Sequence, residues 1–289
     1  MSKIERVLIV GAGWVGRQVG AKMAASGISV GLVDRTQAVC IDAIEWMKGC
    51  SNQDDPLNLK CSNASPTNVE KNTAKNTATA HGTNTVQQVD PATPPTKANT
   101  PAWIESVLAF PELVELVNAA PKAKQFSVHH WSRSEHRLEK LEVTSLDQWK
   151  PDLVLECVSE QLSLKKRVLR SISQIVPAEC IIASNSSYFV PSVLCQFVDR
   201  PERFAHFHFH VPVMRETVAD IVGCEVTSPD VLESLADLSR RVGQYPLMLR
   251  HEHPGYVFNW LLQAVLKAAL ELVAADVVDP EDVDRSWCS

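Results

Sequence analysis

The chain has 289 residues, 45% of them hydrophobic, enough for one large domain or two unequal ones. Its formal net charge of -6 and pI near 5.9 exclude a dominant basic face, and with it nucleic acid as the main partner. The eight cysteines (40, 50, 61, 157, 180, 195, 224 and 288) form no CxxC pair, so neither a zinc site nor a disulfide framework is indicated and a reducing cytoplasm fits best.

At the N-terminus a basic residue and an apolar run are interrupted by glycine turns and Arg17 before any cleavage-like site, so no signal peptide is read. The four apolar residues Val7 to Val10 suit a strand buried on both faces, and they lead straight into Gly11-Ala12-Gly13-Trp14-Val15-Gly16. The pattern predicts strand, glycine turn, helix. In such a turn the first glycine takes angles closed to other residues, the second lets the backbone approach a pyrophosphate, and the third lets helix and strand pack closely. The free N–H groups and positive dipole end of the helix supply the anion site. A second apolar strand, Val30 to Val33, ends in Asp34, 18 residues after Gly16. A carboxylate there accepts both ribose hydroxyls of NAD and repels the extra phosphate of NADP, while Arg35 beside it leaves room for NADP. The cofactor set is therefore Gly11, Ala12, Gly13, Trp14, Val15, Gly16 and Asp34.

A helical pattern runs from about Thr36 to Lys48, and then the composition changes. Between Ser62 and Pro101, 26 of 40 residues are Thr, Asn, Ala or Pro, and the only large apolar residues are three valines. Such a segment cannot bury enough surface to offset its ordering entropy, so residues 50–101 read as a disordered or loosely attached insertion. Trp103, Val107, Phe110, Leu113 and Leu116 to Val117 mark a helical face broken by Pro111. Gln125 to Trp131 and Leu141 to Ser145 look like short strands.

Leu153 to Cys157 is a further buried strand, apolar but for Glu156. A helix follows through Val176, with Leu164, Val168, Ile172 and Ile175 on one face. Cys180 to Ala183 is another buried strand, ending in Ser184-Asn185-Ser186-Ser187. These alternations point to an α/β fold, a mostly parallel sheet with helices on both sides. Ligands in such sheets sit at the carboxyl ends of the strands, where the glycine loop, Asp34, Glu160 and the serine cluster would lie.

Phe204 to His210 reads FAHFHFH, and strict alternation places His206, His208 and His210 on one face. HxHxH alone lacks a fixed carboxylate or cysteine partner, so no metal is assigned; a structural role for each histidine is the ordinary alternative. The strand Val218 to Val222 carries one acid, Asp220, either at a solvated edge or orienting a histidine. Val231 to Val242 is an amphipathic helix stopped by Gly243. Pro246 to Leu249 is a last strand, and Pro254-Gly255 begins an apolar segment, Val257 to Val278. Its Asn259, Gln263, Lys267 and Glu271 make it too polar for a membrane span and typical of a buried helix. Within it Asn259, an amide among apolar neighbours, needs a partner, either a loop or a substrate.

GAGWVG, DLVLECVSE with Lys165, SNSS, HFHVPVM and PGYVFNWLL, in that order, resemble the L-3-hydroxyacyl-CoA dehydrogenase family, including 3-hydroxybutyryl-CoA dehydrogenases and relatives acting on small hydroxy acids. The resemblance covers nearly all the chain outside the insertion. It implies a Rossmann-like NAD-binding domain over 1–250 and a shortened, all-α C-terminal domain over 251–289. Carried over residue by residue, it implies Ser187 as the substrate-contacting serine and His208 as the catalytic histidine, because Pro212 then falls on the motif proline without a gap. Asp220 falls on the acid that orients the histidine, Asn259 on the motif asparagine, and Glu160 with Lys165 on a pair near the NAD.

The implied reaction is oxidation of a 3-hydroxyl to the 3-keto form, which needs a base for the hydroxyl proton and a hydride acceptor over the carbon. Departures from the family pattern are Val211 where the family has asparagine, Trp260 where it has arginine, and the insertion where it draws its helical hairpin for CoA. Pro280 to Trp287 resembles only the start of the family's second C-terminal helix, so most of the helical domain through which the family dimerises is missing from the sequence, and a homodimer stays open. The expected partner is a small molecule, an acyl-CoA or, in the alternative reading, a gulonate- or carnitine-like hydroxy acid, with no membrane. A non-catalytic nucleotide-binding module is the remaining reading.

Overall fold

The computed structural model describes residues 3–34, 37–50, 107–109, 130–134, 137–141 and 149–288. In chain order the elements are β1 (Arg6–Val10), α1 (Trp14–Ala25), β2 (Ser29–Val33), α2 (Gln37–Cys50), β3 (Val107–Ala109), β4 (His130–Ser134), β5 (Arg137–Leu141), β6 (Leu153–Glu156) and α3 (Leu162–Ile175). They continue with β7 (Ile181–Ser184), the single turn α4 (Pro191–Leu194), β8 (Phe204–Phe209), β9 (Val218–Gly223), α5 (Pro229–Arg241), β10 (Tyr245–Met248), α6 (Phe258–Ala274) and α7 (Pro280–Cys288). Eight strands form one sheet in the order β10-β9-β8-β7-β6-β1-β2-β3, and β4 pairs with β5 as a separate antiparallel hairpin. Every pairing in the large sheet is parallel except β8 with β9, as the strand–helix alternation of the sequence requires.

The apolar runs are buried on both sides because each face of the sheet carries helices. Val7, Ile9, Leu32, Leu155 and Phe207 pack in one core with residues of α1, α2 and α5, such as Val19, Met47 and Leu235. Leu8, Val10, Val154, Ile182 and Phe204 pack in a second core with Val168, Leu169 and Ile172 of α3. The amphipathic spacing read in α3 is thus the face that covers the sheet. Gly243, at φ +71°, ends α5 in the left-handed conformation.

The glycine turn closes β1 onto α1. Gly11, at φ +106°, donates its N–H to the carbonyl of Val33 at 2.7 Å, and a Cβ on it would lie 2.7 Å from the Cys157 carbonyl. A Cβ on Gly16 would come within 1.9 Å of the Gly11 carbonyl oxygen.

Three expectations change. Val107–Ala109 is a strand that extends the parallel sheet beside β2, not part of a helical face; the rest of that expected face lies outside the described residues. Short apolar runs fit either period, and here pairing with β2 decides. The hairpin strands fall at His130–Ser134 and Arg137–Leu141, offset from the expected ones, whose remaining residues lie outside the described set, as does the insertion beyond Cys50. Finally, α6 buries no residue: Trp260, Leu261 and Leu270 are all more than half exposed. Apolar composition requires a covering partner, and the described residues supply none. Among them no helix is long and apolar enough to cross a membrane.

The two inner glycines separate packing from approach. Gly16→Ala forces backbone against backbone and is expected to cost about 1–3 kcal/mol, read as a lower urea midpoint. Gly13, at φ -68° with nothing within 4 Å of the position a Cβ would take, should tolerate alanine with little change in that midpoint.

Candidate active site

The carboxyl ends of β1, β2, β6, β7 and β8 gather the residues picked out in the sequence. On the β1–β2 side, the 12-residue α1 begins at Gly13 with no side chain capping its N–H groups and no acid in its first turn. The open space before Gly13 is a cradle that a Cβ would narrow, and the tight fit at Gly11 and Gly16 holds the loop beneath it. Ala12 and Val15 point inward, whereas Trp14 is exposed and meets Trp46 edge-on at 6.0 Å. The Asp34 carboxylate accepts the Ala12 N–H at 2.8 Å, so the acid sits beside the cradle. A pyrophosphate at the helix end and a ribose at the acid fit these residues.

On the β6–β7 side lies a buried network that the sequence only half disclosed. Cross-strand register aligns Glu156, Ser184 and His206 in one row. Lys165, 1% exposed, donates to both oxygens of Glu156 at 2.9 and 3.0 Å and to the Val158 carbonyl at 3.2 Å, and it lies 3.3 Å from Glu160. Its ammonium is fully engaged by protein, so Lys165 acts on the loop, through Glu160. Burial pushes the Glu156 carboxyl up, against the pull of Lys165 and Ser184. Burial also pushes Glu160 up, but Ser186 and Lys165 outweigh it and hold this carboxyl below its usual range. Glu160 Oε1 accepts from Ser186 Oγ at 2.5 Å and from the Tyr188 N–H at 3.0 Å, fixing the loop that carries Ser187.

Ser187, His208 and Asp220 form one line. Ser187 Oγ is 3.1 Å from His208 Nε2, and His208 Nδ1 is 3.0 Å from Asp220 Oδ2. β8 and β9 set this line, since His208 and Asp220 face each other in register. Burial pushes Asp220 up, but the bonds from His208 and His210 outweigh it and keep it ionised. An ionised Asp220 holds the neutral His208 proton on Nδ1, leaving the Nε2 lone pair to accept from Ser187.

Three residues at this line were not singled out for it. Tyr256 stacks on His208 with centroids 4.7 Å apart and planes at 23°. Its hydroxyl donates to the Ser186 carbonyl at 2.5 Å, and it must therefore accept from His206 Nδ1 at 2.7 Å. Tyr256 holds this place at φ +52°, a strained conformation for a non-glycine residue that clusters at functional sites. His206 is fully buried, with its Nε2 lacking a partner among the described residues. Burial, with Lys165 and His208 nearby, drives its imidazole well below the usual range, so it is neutral. His210 Nε2 reaches the same Asp220 oxygen at 2.7 Å. The donor atoms of His208, His210 and Asp220 lie within 4.8 Å of one another, and their mutual hydrogen bonds account for that closeness. Alternation along β8 pointed to His206 and His210; Tyr256 gave no sequence signal. Asn259 is half-buried and makes no hydrogen bond among the described residues, so it is not brought into this line.

The sheet order, glycine cradle and acid define a dinucleotide-binding α/β protein of the Rossmann class. Residues 115–252 match the family described as 3-hydroxyacyl-CoA dehydrogenase, NAD binding domain. Through that segment the chain is similar to the 3-hydroxyacyl-CoA dehydrogenases, and the cofactor of the domain is NAD. A 5-formyl-3-hydroxy-2-methylpyridine 4-carboxylate 5-dehydrogenase of Mesorhizobium japonicum is 34% identical over 138 residues, 47% of this chain and 45% of that protein. An L-carnitine dehydrogenase of Bacillus cereus is 33% identical over 135 residues, 47% of this chain and 41% of that protein. The matches thus span less than half the length of these relatives. The (S)-3-hydroxybutyryl-CoA dehydrogenase of Ralstonia eutropha shares the fold, with a TM-score of 0.67 at 21% identity over 97% of this chain and 75% of that one.

Two outcomes follow. Gly13→Ala should weaken NAD binding, measured by calorimetry, without loss of fold. Because His206 is neutral when folded but takes a proton near pH 6.5 when unfolded, the unfolded state binds more protons and stability falls as pH drops through that value. The drop in urea midpoint from pH 7.5 to 5.5 should be smaller in His206→Gln; Asp220 and Glu160 add a further loss only below the usual carboxylate range.

Proposed function

We propose that the chain oxidises the 3-hydroxyl of a 3-hydroxyacyl-CoA, of 3-hydroxybutyryl-CoA type, to the 3-keto form. The observation that carries this reading is the Ser187–His208–Asp220 line at the same sheet edge as the glycine cradle. His208 Nε2 accepts the hydroxyl proton, and Asp220 steadies the imidazolium that results. Ser187 holds the substrate oxygen against that nitrogen, and Tyr256 keeps the ring from turning. Asn259 is assigned to the neighbouring carbonyl, and Glu160 with Lys165 to holding the serine loop over the cradle. When bound, NAD supplies the hydride acceptor. His206, fully buried and bonded to Tyr256, supports the clamp and does not face the substrate.

A second reading, a small hydroxy acid of carnitine type, is favoured by the similarity to an L-carnitine dehydrogenase. A cytoplasmic setting belongs to the same proposal and rests on the scatter of the cysteines.

NADH formation should be followed with 3-hydroxybutyryl-CoA, free 3-hydroxybutyrate, gulonate and carnitine. Turnover with the thioester alone supports the first reading, and turnover with free acids alone the second. NAD binding without any turnover leaves a nucleotide-binding module. His208→Gln should lower kcat by about 10²–10⁴-fold with NAD affinity unchanged. A larger loss at His206 than at His208 would reverse the assignment of the base.

A further inference from the structure

We propose that His208 and His210 share one proton through the carboxylate of Asp220, and that His210 is thereby a positioning residue that keeps His208 free to act as a base. This rests on the dehydrogenase reading for its catalytic consequence, but not for the proton sharing itself. The starting point is a charge balance. Asp220 is wholly buried, and its Oδ1 has no partner among the described residues. A buried carboxylate needs a compensating charge. Two imidazoles converge on its other oxygen, at 3.0 Å from His208 and 2.7 Å from His210. One added proton makes the three groups neutral together, whereas a second leaves a net positive charge between two rings whose centroids are 5.3 Å apart. The first proton is therefore bound readily and the second late, in two steps that belong to the pair.

The surroundings decide which ring takes the first proton. Around His208 stand Tyr256 on its face, Ser187 at Nε2, and neutral His206 two residues back on β8. Lys165 of α3 lies beyond His206 with its charge engaged by Glu156 and Glu160. Beside His210, apart from Asp220 and the His208 ring, lies the Phe258 ring at 5.2 Å, and the His210 Nδ1 makes no hydrogen bond among the described residues. His210 has the shorter bond to Asp220 and a second nitrogen left for solvent, so it holds the first proton. His208 then stays neutral, with Nδ1–H on Asp220 and a lone pair on Nε2. When His208 accepts the hydroxyl proton, the pair would carry two. His210 then releases its Nδ1 proton to water and keeps Nε2–H on Asp220, so one proton enters and one leaves.

The test compares the wild-type chain with His210→Gln, which keeps a donor without a titrating charge, and His210→Phe. Removing the neighbouring charge raises the pH at which His208 protonates. The acid limb of kcat/KM should move up by roughly one pH unit in both variants. If His210 only supports the fold, rates fall alike at every pH and the limb stays where it is, which overturns the proposal. An independent readout needs no substrate: NMR titration of the imidazole signals in the full chain. Two steps, each sensed by both rings, collapsing to one step at higher pH in His210→Gln, support the sharing. Two independent titrations overturn it. Shared titration in a chain that turns over no substrate upholds the sharing and rejects the dehydrogenase reading.

Discussion

The constraint on which the site depends is a carboxylate placed where no water reaches. Glu156 ends β6 in the middle of the sheet, beside β1 and under α3, and it is completely buried. A charge in that position needs partners, and it has Lys165, the Ser184 hydroxyl and the Val158 N–H. Such a pair gives little net stability over an apolar replacement, because desolvating both ions offsets their attraction. What it fixes is geometry. Lys165 is drawn to the carboxyl end of the sheet, where it also meets Glu160. Glu160 in turn holds Ser186 and Tyr188, and Ser187 between them lies against His208. A single buried ion pair thus sets the position of a hydroxyl three contacts away.

The same edge explains what the amino-acid sequence discloses and what it conceals. The stretch from Arg6 to Asp34 is legible because its information is local. An apolar strand, glycines at fixed offsets and an acid at the end of the next strand each state their own conformation. The pairing of His208 with Asp220 is not local, since it follows from the antiparallel register of β8 and β9, and the family resemblance, not spacing, indicated it. The row Glu156–Ser184–His206 depends on two parallel registers, and Glu156 reads in the chain as one acid in an apolar strand. His210 shares the alternation of its strand, but its bond to an acid already used by His208 becomes visible only in three dimensions. β3 shows the opposite failure, where Val107 matched a helical period until the pairing of Val107–Ala109 with β2 decided the matter.

Tyr256 joins these two levels. It is the residue at which the chain leaves the sheet region for α6, and its backbone is held in the left-handed region at φ +52°. A conformation that costs about 1–3 kcal/mol persists only where surrounding contacts over-determine it. Here they do: the hydroxyl is held by the Ser186 carbonyl and His206, and the ring lies on His208. Phe258, the first residue of α6, meets His210. The apolar α6, in which no residue is buried, therefore meets His210 through its first residue and begins two positions after Tyr256, which lies on His208. The matched family segment ends at residue 252, before this junction.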